Sequence, residues 1–323
     1  MKIAVLDDYQ NVFRKLKCYG RLAGHEVTVY DNTEKDPVRL AERLKDAEAV
    51  VLTQQRSAFP KALVERMPRL KLISQTGRNV GHVDVEACTA HGITVSAGGA
   101  GNPNPTAELT WALILASMRH LPDEVQRLKQ GMWQGHVGIG LAGKTLGVYA
   151  YGRIGSLVAK VGKAFGMKVV CWGREASLLR AKEAGFDVAE SRESFFSSCD
   201  VIALHLPLNK ETKGIVKAGD LARMKPAALI VNTSRAQIIE EGALAAALLA
   251  GRPGRAAVDV YEDEPVLKAD HPLIGLPNCL CSPHLGYVEE ETFEMLMGAA
   301  IDQILAFAAG KPINLVNPEV KPR

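Results

Sequence analysis

The chain reads as an α/β protein built from two parallel-sheet domains. Three observations predict this. In the first hundred residues, short apolar runs of β type alternate with stretches of helical periodicity, which is the pattern of a parallel sheet covered by helices. A second alternating series begins at Lys144. Between them lies the stretch densest in glycine and proline, Ala97-Gly98-Gly99-Ala100-Gly101-Asn102-Pro103-Asn104-Pro105, which reads as a crossover or hinge. Both halves are therefore Rossmann-like, and a cleft is expected between them.

Bulk properties narrow the classes. The 323 residues suffice for two domains with proper cores. A formal charge of +3 without a dense basic run gives no reason to expect nucleic acid as a main partner. No apolar stretch reaches about 18 residues, so no membrane span is expected. The N-terminal apolar run is too short for a signal peptide and meets Asp7-Asp8 at once. The six cysteines are scattered and contain no C-x-x-C, which points to a reducing cytoplasm and no metal site. Cys279 and Cys281 fall on one expected strand and are taken to face opposite ways.

Element by element, strands are expected at 2–6, 26–30, 49–52, 71–75 and 93–96, with helices at 37–45, 61–67 and 84–91. A helix should begin near Thr106, whose hydroxyl can cap it, and run to about Arg119. Another follows Pro122 and ends at Gly131-Met132-Trp133. The second series gives strands at 145–149, 168–171, 201–203, 228–231, 256–258 and 279–282, with helices at 154–165, 176–184, 192–197 and 240–250. A last helix, 289–309, follows the final strand and is expected to return to the first domain. The division is then 1–101 plus 288–323, a flavodoxin-like substrate domain, and 102–287, a dinucleotide-binding domain.

The second series opens on Leu146-Gly-Val-Tyr-Ala-Tyr-Gly-Arg-Ile-Gly155. A strand feeding a helix through small residues lets backbone N–H groups approach a pyrophosphate, with the positive end of the helix dipole behind them. The full fingerprint is G-x-G-x-x-G. Here Ala150 replaces the first glycine, while Gly152 and Gly155 hold the other two places. Alanine is tolerable at 150 if its φ is negative.

Three polar residues follow the later strands: Arg235 after 228–231, Glu264 after 256–258, and His284 after 279–282. Open α/β sheets bind ligands at those carboxyl ends. An arginine grips a carboxylate through two parallel hydrogen bonds. A histidine exchanges protons near neutral pH, and a neighbouring carboxylate fixes its tautomer. Together they suit oxidation of an anionic alcohol.

With those residues in view, the chain resembles the D-isomer-specific 2-hydroxyacid dehydrogenase family. The likeness rests on Leu146–Gly155, Leu204-His205-Leu206-Pro207-Leu208 with Thr212, Asn232-Thr233-Ser234-Arg235, Asp259-Val260-Tyr261-Glu262-Asp263-Glu264-Pro265 and Ser282-Pro283-His284-Leu285-Gly286. It is looser in the first domain, over Gln75 to Asp84 and His91-Gly92-Ile93. The resemblance implies reversible hydride transfer between a nicotinamide and a short D-2-hydroxy or 2-keto acid, with glyoxylate or hydroxypyruvate as the expected type. It implies Arg235 on the substrate carboxylate and keto oxygen, and His284 as acid/base paired with Glu264. Gly152, Arg153 and Ile154 would line the pyrophosphate, and His205 and Pro207 the adenosine half. Asp259 and Ser234 would hold the nicotinamide carboxamide side with Thr106 against the ring, and Thr212, Thr233, His284 and Gly286 would also bind the cofactor. The backbone after Gly77, at Arg78 and Asn79, would receive the substrate carboxylate.

The acidic residue that holds the ribose of NAD usually lies about 20 positions past the glycine turn. Here that place is Gly173, followed by Arg174 and Glu175. A guanidinium without the carboxylate suits NADP over NAD, with NAD as the alternative if the loop shifts to bring Glu175 to the ribose. Alternatives under the same resemblance are a short D-3-phosphoglycerate dehydrogenase and a non-enzymatic dinucleotide-sensing corepressor. A formate-dehydrogenase reading fits less well because Glu264 stands where that branch has glutamine. The resemblance also implies a homodimer formed through the helices over 106–119 and 123–129, with Trp111, Leu113 and Leu115 as candidate contacts.

Overall fold

The computed structural model describes residues 1–99 and 101–321. Ala100, inside the expected crossover, lies outside the described residues. The chain divides into two compact units, Met1–Asn102 with Glu289–Arg323, and Pro103–Val288.

In the first unit, strands β1 (Lys2–Val5), β2 (Glu26–Val29), β3 (Ala49–Leu52), β4 (Leu72–Thr76) and β5 (Thr94–Gly98) form one parallel sheet in the order β2-β1-β3-β4-β5. Helices α1 (Pro37–Arg43), α2 (Lys61–Val64) and α3 (Val85–Ala90) connect them. The C-terminal helix α11 (Glu290–Ala308) belongs to this unit, and Ser74 Oγ of β4 donates to its Ala300 carbonyl at 2.9 Å. Asp36 and Asp84 cap α1 and α3 by accepting from backbone N–H groups, as first-turn donors require. Central strands such as Ala49–Leu52 are buried along their whole length, so they read as apolar runs rather than alternating ones.

The second unit starts with α4 (Asn104–Met118) and α5 (Leu121–Lys129). Its strands are β6 (Thr145–Tyr149), β7 (Lys168–Trp172), β8 (Asp187–Val188), β9 (Val201–Leu204), β10 (Leu229–Asn232), β11 (Arg255–Val258) and β12 (Cys279–Cys281). All pair in parallel, in the order β12-β11-β10-β9-β6-β7-β8. The helices between them are α6 (Arg153–Ala164), α7 (Glu175–Glu183), α8 (Arg192–Ser198), α9 (Ala218–Arg223) and α10 (Ala243–Leu249). Side chains alternate across the sheet. Ile202, Leu204, Ile230 and Val258 enter one core with Phe195 and Phe196. Val201, Ala203, Val231 and Ala257 enter the other with Trp111 and Val158. Strand order reverses between β6 and β9, and their carboxyl ends flank the switch point where such sheets bind ligands.

Several expectations change. Thr106 is not a helix cap: α4 begins two residues earlier, with Pro105 in its first turn, and the Thr106 hydroxyl donates to the Gly286 carbonyl at 2.8 Å. Trp111 and Leu113 are buried, Trp111 against Phe165 with its indole N–H on the Val158 carbonyl, so neither is available to a partner. Cys279 and Cys281 share a face, because a strand's side chains return to the same side every two residues; their sulfurs are 3.7 Å apart. Strand β8 and helix α9, each short, were not anticipated.

Candidate active site

The turn after β6 is built around a strained alanine. Ala150 has φ +76, contrary to the expected negative value. The amide of Gly152 returns to the Ala150 carbonyl at 2.9 Å, closing a tight turn, and Tyr151 N donates to Ser177 Oγ at 2.7 Å. A methyl at Gly155 would stand 2.4 Å from the Ala150 oxygen, so only glycine lets the first turn of α6 lie against the strand. Among the described residues nothing lies within 4 Å of where a Cβ at Gly152 would be, and no side chain caps α6. An open approach to an uncapped helix start fits a dinucleotide pyrophosphate, and Arg153 and Ile154 are its first two helical residues.

Beside the turn, His205 follows β9, its amide bonded to the Tyr149 carbonyl. Both ring nitrogens are shielded and lack hydrogen-bond partners among the described residues, and burial pulls the imidazole down to about 4, so it is neutral. Thr212 folds back, its hydroxyl donating to the Pro207 carbonyl at 2.6 Å and accepting from Asn209 N at 2.9 Å. Pro207 itself is exposed.

At the end of β7, Gly173 has φ +155, and an added Cβ would lie 3.3 Å from Ser177 Oγ and 3.4 Å from Ala150 Cα. A side chain has little room there. Arg174 occupies the cap position of α7 and is exposed, with Nη1 3.8 Å from Glu211 Oε2. Such an exposed pair holds the arginine only weakly.

The three later strand ends carry the expected trio. Asn232, the last residue of β10, shapes the loop by accepting from Ser234 N at 3.0 Å and donating to the Arg235 carbonyl at 2.9 Å. Ser234 Oγ donates to the Leu204 carbonyl at 2.7 Å, and Thr233 shares a 2.9 Å hydroxyl contact with Thr110. Arg235 is half-buried, with Nη1 on the Ser234 carbonyl at 2.7 Å. After β12, His284 adopts φ +53, and its Nδ1 lies 2.6 Å from Glu264 Oε2. The other Glu264 oxygen accepts from Tyr261 N at 2.9 Å. Tyr287 packs edge-on against the imidazole. So the histidine's orientation is set from both sides.

Asp259, at the end of β11, was expected beside the nicotinamide. Its carboxylate accepts from Ser282 Oγ at 2.5 Å, Leu285 N at 2.7 Å and Gly286 N at 2.9 Å. Burial pushes its carboxyl above the ordinary value, opposed by those bonds. It therefore fixes the loop bearing His284. Ser282 was not singled out from sequence; its place two residues before His284, able to reach the preceding strand end, was the available signal. Among the described residues no cluster of three metal-ligating side chains occurs.

In the first unit, Gly77 has φ +83 and its amide donates to the Gly98 carbonyl at 3.0 Å. Arg78 and Asn79 follow, both exposed, and Asn79 Oδ1 accepts from Gly81 N at 3.0 Å.

Replacing Ala150 with glycine should stabilise the protein by about 1 kcal/mol, since a left-handed alanine is strained by roughly 1–2 kcal/mol and glycine's extra chain entropy offsets part of that gain. Urea unfolding of Ala150→Gly would show it, and a lower midpoint would contradict the strain.

Residues 111–286 match the family model described as D-isomer specific 2-hydroxyacid dehydrogenase, NAD binding domain. The chain is 36% identical to a glyoxylate reductase of Aeropyrum pernix, over 92% of this chain and 91% of that protein. It is 33% identical to a hydroxypyruvate reductase of Blautia hydrogenotrophica, over 98% of this chain and all (100%) of the other. A solved structure of a phosphoglycerate oxidoreductase from Vibrio cholerae superposes with a TM-score of 0.92 at 47% identity, covering 96% of this chain and 99% of that one. The chain belongs to the D-isomer specific 2-hydroxyacid dehydrogenase family, nicotinamide-dependent oxidoreductases acting on CH–OH donors.

Proposed function

We propose that the protein reduces a short 2-keto acid of the glyoxylate or hydroxypyruvate type, with His284, Glu264 and Arg235 as its working side chains. The observation that carries this is the 2.6 Å contact between His284 Nδ1 and Glu264 Oε2 at the end of β12. With Nδ1 engaged, Nε2 is the nitrogen that gives a proton to the carbonyl oxygen, or takes it back in the reverse direction. Glu264 holds the tautomer. Arg235 clamps the substrate carboxylate and polarises the carbonyl. The bound nicotinamide supplies or accepts the hydride. The names of the Aeropyrum and Blautia relatives support the substrate class.

Gly152, Arg153 and Ile154 would hold the pyrophosphate; His205, Pro207 and Thr212 the adenosine; and Thr106, Thr233, Ser234, Asp259 and Gly286 the nicotinamide side. For the adenosine ribose we favour the 2′-phosphate of NADP. Gly173 offers no carboxylate and little space for one, and Arg174 is exposed beside it.

A homodimer through α5 is part of the same proposal. Leu121, Val125 and Leu128 form an exposed apolar stripe at helical spacing, followed by exposed Met132, Trp133 and Val137. Stripes of this extent are characteristic of interfaces.

Three measurements test these statements. His284→Ala and Arg235→Ala should each lower kcat/KM for keto-acid reduction by about 10²–10⁴-fold; unchanged rates would refute the assignment. Arg174→Ser should cut efficiency with NADPH about tenfold while sparing NADH, and equal losses with both would argue against a 2′-phosphate contact. Leu128→Glu should yield monomers by light scattering, whereas an unaltered dimer would place the interface elsewhere.

A further inference from the structure

The strand that leads to His284 carries a close pair of thiols. Cys279 and Cys281 of β12 present sulfurs 3.7 Å apart, both half-buried beside Tyr261, and neither is in a disulfide. β12 is the edge of its sheet, hydrogen-bonded only to β11. An edge strand can bend on its open side without breaking a second ladder. The two thiols are also unequal. Cys281 is held below the ordinary thiol value by hydrogen bonding from Cys279, with Tyr261 adding to the effect. Cys279 is pushed up by the same contact and by burial. The thiolate is the nucleophile in thiol oxidation, and with the sulfurs 3.7 Å apart the second thiol stands beside the first when it is oxidised.

We propose that Cys279 and Cys281 form a peroxide-oxidisable pair whose disulfide bends β12 and displaces His284. In the first step the Cys281 thiolate attacks a peroxide oxygen and the O–O bond breaks. Cys281 becomes a sulfenic acid, and the departing hydroxide takes up a proton to give water. Next the Cys279 sulfur attacks the Cys281 sulfur, and an S–S bond forms as the S–O bond breaks. The leaving hydroxide collects the proton lost by Cys279 as a second water. One peroxide gains two electrons and the thiol pair loses two.

The strain of that closure has a definite direction. Residues two apart on a strand have Cα atoms about 6.6 Å apart, near the upper end of the roughly 4.4–6.8 Å found in disulfides. The sulfurs must also approach from 3.7 Å to about 2.05 Å. β12 therefore shortens. Its next residue is Ser282, tied to the Val258 carbonyl through N at 2.9 Å and to Asp259 through Oγ at 2.5 Å. The Ser282 carbonyl accepts from Tyr261 Oη at 3.0 Å, and Tyr261 N holds Glu264 at 2.9 Å. A pucker at 279–281 thus acts on both partners of the His284–Glu264 contact.

The oxidation itself is independent of substrate; its effect on turnover rests on the role proposed for His284. The test treats the purified protein with hydrogen peroxide, then maps thiols by alkylation and peptide mass while measuring keto-acid reduction. Expected is an intramolecular Cys279–Cys281 disulfide, with kcat down by about ten- to a hundredfold, as misplacement near 1 Å produces. Dithiothreitol should restore both. Cys279→Ser should keep ordinary turnover before treatment and form no disulfide. Full alkylation of both thiols after peroxide, or oxidation that stops at Cys281 without an S–S bond, overturns the pair. A disulfide with unchanged kcat, or equal peroxide sensitivity in the Cys279→Ser/Cys281→Ser variant, overturns the link to His284. Absence of turnover in the untreated protein would count against the proposed function alone, since the thiol map still decides the oxidation.

Discussion

The carboxyl end of the second sheet depends on one buried carboxylate. Asp259 is 1% exposed, a position that is costly for a charge without partners. It has them: the Ser282 hydroxyl and the amides of Leu285 and Gly286. Those bonds tie the segment after β12 to the end of β11. Thr106, from the first helix of the same unit, takes the Gly286 carbonyl on the other side. His284 sits inside this loop with φ +53, a backbone state that a non-glycine residue holds only when its surroundings fix it. The orientation of the imidazole is thus a product of the loop's anchoring as much as of Glu264.

The same economy runs through the neighbouring strand ends. Thr212 donates within its own loop to Pro207, while Thr233 and Ser234 use their hydroxyls to bond across to Thr110 of α4 and Leu204 of β9. They shape the rim of the sheet before any ligand arrives. His205 is different, since its ring nitrogens are shielded and without hydrogen-bond partners among the described residues. Its neutral imidazole offers one donor and one acceptor.

Much of the architecture was legible in the sequence, for a simple reason. Strands buried on both faces must be apolar throughout, so 49–52, 201–203 and 228–231 stood out. Glycine or polar residues then marked the points where each strand ended. What escaped had tertiary causes. Helix α9 contains a glycine in its first turn and is fixed by Asp220, which accepts from Lys217 N and pairs with Arg192 of α8. Strand β8 is two residues long, too short to show periodicity. Thr106 looked like a cap because hydroxyls usually cap helices; its hydroxyl instead reaches a residue 180 positions away. The chemical types of the trio could be read from order along the chain. The 2.6 Å approach of His284 to Glu264, and the role of Ser282 beneath them, could not, because both depend on where two loops meet.

Gly173 and Ala150 form a small steric couple. The vacant Cβ direction of Gly173 points at Ala150 Cα, 3.4 Å away, and Ala150 in turn holds the carbonyl against which Gly155 packs. A carboxylate introduced at 173 would have to enter that stack before it could reach any ribose. An acidic group at this strand end and the glycine turn beside it are therefore coupled. A side chain at 173 would press first on the Ser177 hydroxyl, 3.3 Å from that Cβ position, and would be strained by the positive φ, whereas 174 and 175 are exposed.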